Sequence, residues 1–180
     1  MLIIVSGSSG VGKNTVINRL LEEDENLVLL TTVTTRAMRE GESQWNPYYF
    51  ATHEEFRAML DRGEMLEYCE VHGGDLYGTN RLFLEEKERL GKILIKDIDV
   101  DGTVALKKVL SDLVTIYLTV PREVLRERLI GRGEEEIDKR LSRYDYEESK
   151  KVHYDYVIQN DDLEITVSSI QKIIRKHCGL

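Results

Sequence analysis

Cysteine is scarce in this 180-residue chain, with one at 69 and one at 178. Neither a disulfide framework nor a paired metal-ligand spacing can be built from them, so the expectation is reduced thiols in a cytoplasmic protein. Long apolar runs are missing as well. No segment reaches the length needed to cross a bilayer, and a membrane partner is not expected. The opening Leu2-Ile3-Ile4-Val5 is too short for a signal-peptide core and lacks a basic flank, so it reads as a buried strand. Basic charge is in the minority: 25 Lys and Arg stand against 33 Asp and Glu, for a net charge of −8. A nucleic-acid backbone would be repelled on average, which argues against a polymer partner. Small anions are still allowed, because local basic clusters focus positive potential within an acidic protein. Such clusters exist. Arg36 and Arg39 form one, and Arg126, Arg128, Arg132, Arg140 and Arg143 form another. Repeats, low-complexity tracts and linker-like stretches are absent, and the length suits one domain. A homo-oligomer is compatible with this sequence without being specified by it.

What is present is alternation. Short apolar, β-branched runs predict strands over Leu2 to Val5, Leu27 to Thr32, Ile93 to Ile98, Thr115 to Val120 and Tyr156 to Ile158. Between them the spacing is helical. Val16, Ile17, Leu20 and Leu21 share one face, and Phe56, Met59 and Leu60 share another behind a Thr52-x-x-Glu55 capping box. Pro121 suits the first turn of a helix running towards Gly131 and Gly133. Ile165 to Ile174 predicts a C-terminal helix capped by Asp161 or Asp162. Strands alternating with helices imply an α/β fold in three layers, with a mainly parallel central sheet. Two segments break the rhythm. Residues 33 to 78 suggest an inserted subdomain, and the densely charged residues 126 to 150 suggest a helical flap.

Directly after the first strand stands Gly7-Ser8-Ser9-Gly10-Val11-Gly12-Lys13-Asn14-Thr15, the pattern of a P-loop with a helix following. Its glycines let successive N–H groups curl inward as an anion nest. The helix N-terminus adds its positive end, and Lys13 brings a mobile charge to the β- and γ-phosphates of a nucleoside triphosphate. Ser8, Ser9, Gly10, Val11, Gly12, Lys13, Asn14 and Thr15 are therefore the candidate donor-nucleotide contacts. The residue after the lysine is usually Ser or Thr, whose hydroxyl binds Mg²⁺, and here it is Asn14. Either Thr15 serves at a shifted geometry, or Asn14 holds a metal-bound water.

Further motifs follow in order: Thr34-Thr35-Arg36-Ala37-Met38-Arg39-Glu40-Gly41-Glu42, Tyr48-Tyr49-Phe50, Leu66-Glu67, Tyr77-Gly78-Thr79, Asp97-Ile98-Asp99-Val100-Asp101-Gly102, Arg128-Leu129-x-x-Arg132-Gly133, and Val157-Ile158-x-Asn160-Asp161. Behind a P-loop, this series resembles the guanylate kinases over nearly the whole chain. The resemblance implies a core of 1–32, 79–123 and 151–180, a GMP-binding insertion of about 33–78 and a lid of about 124–150. It implies Mg²⁺-dependent transfer of the γ-phosphate of ATP to GMP.

The residue chemistry agrees with that assignment. Arg36 and Arg39 offer two planar forks to a phosphate dianion, and the hydroxyls of Tyr48 and Tyr77 add donors. Glu67 accepts the two adjacent donors of guanine, and Thr79 can donate to its O6. By resemblance Thr32 and Asp99 also line the acceptor site, Arg128, Arg132 and Arg140 reach the ATP phosphates, and Asn160 sits near the adenine. Asp97, at the end of a predicted core strand, suits a magnesium ion held through water. Asp101 reads as the cap of the next helix. Lys96 interrupts an apolar strand without a reading. Two rivals stay open: a P-loop kinase for a different nucleoside or sugar phosphate, and a non-catalytic module of the guanylate-kinase-like type. Glu67 and Thr79 argue against the first, Lys13 and the lid arginines against the second.

Overall fold

The computed structural model describes residues 1–71 and 74–179. Strand β1 (Leu2–Ser6) buries all five of its residues, as an unbroken apolar run must when both faces of a sheet are covered. Helix α1 (Lys13–Glu23) turns Val16, Ile17 and Leu20 inward.

The predicted strand Leu27 to Thr32 is instead two strands, β2 (Leu27–Leu29) and β3 (Thr32–Thr34), which belong to different sheets. Leu30 still donates its N–H to Ile95 at 3.0 Å and is fully buried. At Thr31 the hydroxyl donates to the Trp45 carbonyl at 3.2 Å, and the chain changes partners there. β-Branched residues continue through Thr34, so composition carries no mark of the switch.

The middle of the chain forms β4 (Tyr48–Phe50), α2 (His53–Asp61), β5 (Met65–Val71), β6 (Asp75–Asn80) and α3 (Arg81–Glu88). The capping box of α2 forms as its sequence predicts. Thr52 Oγ1 accepts from the Glu55 N–H at 3.1 Å, and Glu55 Oε2 accepts from the Thr52 N–H at 2.7 Å. Strands β3 to β6 make a four-stranded sheet in the order β4-β3-β6-β5. Val33, Ala51, Phe56 and Met59 are buried against it.

Next come β7 (Ile93–Asp97), α4 (Val100–Val109) and β8 (Leu113–Thr119). Asp101 lies inside the first turn of α4 and does not cap it; its charge there still favours the helix dipole. The charged segment is helical as expected and consists of three helices. These are α5 (Arg122–Gly131), which has Pro121 at its N-cap, α6 (Ile137–Ser142) and α7 (Tyr144–Ser149). Gly133, at φ 70°, follows the first of them.

A single 3₁₀ turn leads to β9 (Tyr156–Gln159) and α8 (Leu163–Cys178), where Asp162 accepts from the Ile165 N–H at 2.9 Å as the N-cap. The second sheet has the order β2-β7-β1-β8-β9, with β2·β7 and β8·β9 parallel. The chain forms two compact units. One is Met1–Ile3, Asn26–Lys96 and Asp101–Leu113; the other is Ile4–Glu25, Asp97–Val100 and Val114–Leu180.

Candidate active site

In the second unit, the loop from β1 into α1 has a left-handed backbone at Gly7, Gly10 and Gly12. Gly7 has φ 142° and Gly12 has φ 106°. A Cβ on Gly7 would stand 2.3 Å from the Leu118 carbonyl oxygen, and one on Gly12 would stand 2.7 Å from Asn160 Nδ2. Lys13 folds back over this loop and donates to the Gly7 and Ser8 carbonyls at 2.6 and 3.2 Å. Burial pulls its ammonium below the ordinary lysine pKa, opposed by the charges of Asp97, Glu147 and Asp99. The ammonium is thus held over the loop by backbone carbonyls, with acidic groups acting on it.

Other side chains brace the loop from far along the sequence. The Val11 carbonyl accepts from Asn160 Nδ2 at 2.8 Å and from Arg128 at 3.0 Å, and Arg128 also donates to the Asn160 carbonyl at 2.8 Å. Both residues, expected at the nucleotide, are bonded here to the backbone of this loop and its neighbour. Arg140 donates to the Ser9 hydroxyl and pairs with Glu134. Arg132 is exposed, and its charge acts on Lys13. A Cβ on Gly10 would stand 2.8 Å from Leu129 Cδ2 and 3.3 Å from Leu125 Cδ1. Asn14 and Thr15 are exposed on the first turn of α1.

Glu147 and Glu148 escaped the sequence reading. Glu148 accepts from the hydroxyls of Tyr117 and Thr119 at 3.0 and 2.8 Å. Their only signal was acidity inside a charged helix, which is ordinary for a solvated face.

In the first unit, Arg36 follows β3 and is 8% exposed. Two of its nitrogens grip Glu42, each at 2.7 Å, and one also donates to the Ala37 carbonyl at 2.7 Å. The hydrogen-bonded guanidinium holds the Glu42 carboxyl down at about 2. Arg36 also faces the rings of Tyr48 and Phe50, at 5.2 and 5.4 Å. Tyr48 meets Tyr77 edge-on at 5.8 Å. Arg39 is exposed, and its N–H donates to Glu42 at 2.8 Å. Glu42 therefore organises both arginines, a role the motif alone did not reveal.

Glu67 on β5 lies directly opposite Thr79 on β6. Glu67 is 8% exposed, and its carboxylate accepts the Thr79 hydroxyl at 2.6 Å. Thr79 has one proton to give, and here it goes to Glu67, not outward to a base. Thr32 is buried on β3. Thr32, Arg36, Arg39, Tyr48, Glu67, Tyr77 and Thr79 all belong to this unit, whereas Asp99 belongs to the other, with Asp97 and the P-loop. Among the described residues, no group of three His, Cys, Asp or Glu side chains could hold a metal, and no helix is long and apolar enough to cross a membrane.

Known proteins resemble this chain along nearly all of it. The family model described as guanylate kinase matches residues 1–177. A guanylate kinase from Prochlorococcus marinus is 39% identical over 178 residues, which are 97% of this chain and 96% of the relative. One from Thermotoga maritima is also 39% identical, over 97% of this chain and 86% of its own. The crystal structure of guanylate kinase from Anaplasma phagocytophilum superposes with a TM-score of 0.78 at 35% identity, covering 98% of this chain and 85% of that one. With a phosphate loop whose lysine is in place, a mainly parallel sheet and these full-length matches, the chain belongs to the guanylate kinase family.

Proposed function

We propose that this protein transfers the γ-phosphate of ATP to GMP, giving ADP and GDP. What supports the acceptor reading is that a buried carboxylate and a group of arginine and phenol donors share one small sheet. Buried Glu67, oriented by Thr79, stands on β5, while Arg36, Tyr48 and Tyr77 come from β3, β4 and β6 or follow them. An ionised carboxylate only accepts hydrogen bonds, and guanine offers it N1–H and N2–H together. The arginine forks and phenol hydroxyls suit the phosphate at the other end of the same nucleotide. In this reading residues 33–78 are the acceptor subdomain, 124–150 the lid, and 1–32, 79–123 and 151–180 the core. Cys69 and Cys178 are thiols not joined in a disulfide, which suits a cytoplasmic enzyme.

The donor triphosphate lies in the nest of Gly7 to Gly12, with Lys13 on the β- and γ-phosphates. One acceptor phosphate oxygen attacks the γ-phosphorus as the bond to the β–γ bridging oxygen breaks, and ADP leaves with that oxygen. The acceptor phosphate is already a competent nucleophile, so positioning and charge stabilisation suffice and no strong base is needed. Arg132 and Arg140 supply that stabilisation, Arg140 by trading Glu134 and Ser9 for phosphate oxygens, while Arg128 and Asn160 keep the loop in shape.

Magnesium fits the donor set. Asp97 and Asp99 both act on Lys13, and a hydroxyl and an amide stand exposed on the adjoining turn at Thr15 and Asn14. Magnesium commonly takes one or two carboxylates, waters and substrate phosphates. Asp97, with Asn14 or Thr15, would hold it, and the ion would neutralise charge on the triphosphate.

The test is coupled ADP release across a panel of nucleoside monophosphates. GMP should exceed AMP, CMP and UMP by at least about a hundredfold in kcat/KM. Equal use of another acceptor would overturn the reading.

A further inference from the structure

Lys96 lies in β7 directly after Leu94 and Ile95, both fully buried, and is itself 1% exposed. A cation there is costly to desolvate, and a methionine would fill the same space without that penalty. What Lys96 contributes has to be sought in what its ammonium touches. Nζ donates to the Pro47 carbonyl at 3.2 Å, one residue before Tyr48, and stands 4.0 Å from the centre of the Tyr48 ring. The same ring faces Arg36 at 5.2 Å and makes a T-shaped contact with Tyr77, ring centres 5.8 Å apart. The two cationic centres are thus within about 9 Å of each other, close to one screening length at physiological salt.

We infer that Lys96 is a positioning residue for the acceptor's phosphate, acting through Tyr48. Its bond to Pro47 fixes the backbone from which Tyr48 starts, and its charge against the ring fixes the ring's tilt. A cation on the ring also makes the phenol hydroxyl a stronger donor to a phosphate monoester dianion. The buried ammonium adds positive potential to a clamp whose arginine is partly neutralised by Glu42. The inference rests on the acceptor reading proposed above.

The experiment pairs Lys96→Met with Tyr48→Phe in a double-mutant cycle and compares GMP with guanosine, which lacks the phosphate. Lys96→Met should raise KM for GMP about tenfold, with kcat changed less than threefold. The inhibition constant for guanosine and KM for ATP should stay within twofold. In the Tyr48→Phe background the same substitution should raise KM for GMP less than threefold. Lys96→Gln removes the charge but keeps a donor for Pro47, and it should behave the same way, so a fold defect in one variant leaves the other to decide. Equal weakening of GMP and guanosine, full additivity with Tyr48→Phe, or an unchanged KM for GMP would each overturn the inference. Wild-type protein that does not use GMP would refute the acceptor reading and this inference together, whereas wild-type activity with an indifferent Lys96 would refute the inference alone.

Discussion

Replacing Glu67 by Gln keeps the size of the side chain and exchanges one acceptor for a donor, which makes it a direct test of base selection. In the native protein the Thr79 hydroxyl donates to Glu67 Oε1 at 2.6 Å, so a guanine would share this carboxylate with Thr79. A Gln that keeps its oxygen towards Thr79 turns its NH₂ towards guanine's two donors, and both charge-assisted bonds are lost. Each is worth about 1.5–3 kcal/mol when the acceptor is ionised. If the amide rotates to recover them, its NH₂ faces Thr79, and only one neutral acceptor faces guanine. The variant takes the cheaper of the two arrangements, so kcat/KM for GMP should fall by at least about tenfold, equivalent to about 1.4 kcal/mol. Adenine presents the lone pair of N1 where guanine has N1–H, so AMP loses little or gains against the amide of the Glu67→Gln variant. The assay is kcat/KM for GMP and AMP in both proteins, with KM for ATP as the control. A GMP-to-AMP ratio that stays constant while KM for ATP is unchanged would show that Glu67 does not read the base.

Lys13→Met should cut kcat by at least about a hundredfold, on the scale of removing one preorganised donor. Its melting temperature should hold or rise, because a desolvated ammonium is removed; near-normal turnover would reject the P-loop assignment. The Glu42 carboxyl is held at about 2 against an ordinary 4.5, so its contribution to stability is complete above pH 4.5 and is lost as pH falls towards 2. Glu42→Gln should therefore cost about 1–2 kcal/mol at pH 7 and flatten the acid limb of stability measured by urea titration from about pH 5 to about 2.5; parallel curves for both proteins would dismiss the pair. Gly7→Ala places a Cβ 2.3 Å from a backbone oxygen at φ 142°. It should lower stability by at least about 2 kcal/mol, and an unchanged urea midpoint would contradict the loop geometry.

Features set by short-range pattern were legible in the residue order alone. The glycine spacing and lysine of the phosphate loop, the strand ahead of it and the Thr52–Glu55 capping box are written within a few residues, because backbone sterics and local hydrogen bonds impose them. Membership of the family was legible too, through the order of its motifs. What the sequence could not supply was partner choice. One β-branched run from Leu27 to Thr34 serves two sheets, since strand propensity does not say which neighbour a strand will pair with. Asn160 and Arg128 meet the Val11 carbonyl from 149 and 117 residues away, where the side-chain types would equally suit a nucleotide. The Thr79 proton goes to Glu67 because the register of β5 and β6 sets them opposite each other. Lys96 had no reading until packing put a tyrosine ring against its ammonium. Hydrogen bonds and cation contacts depend on ångström-scale distances between segments remote in sequence, and only the folded chain fixes those distances.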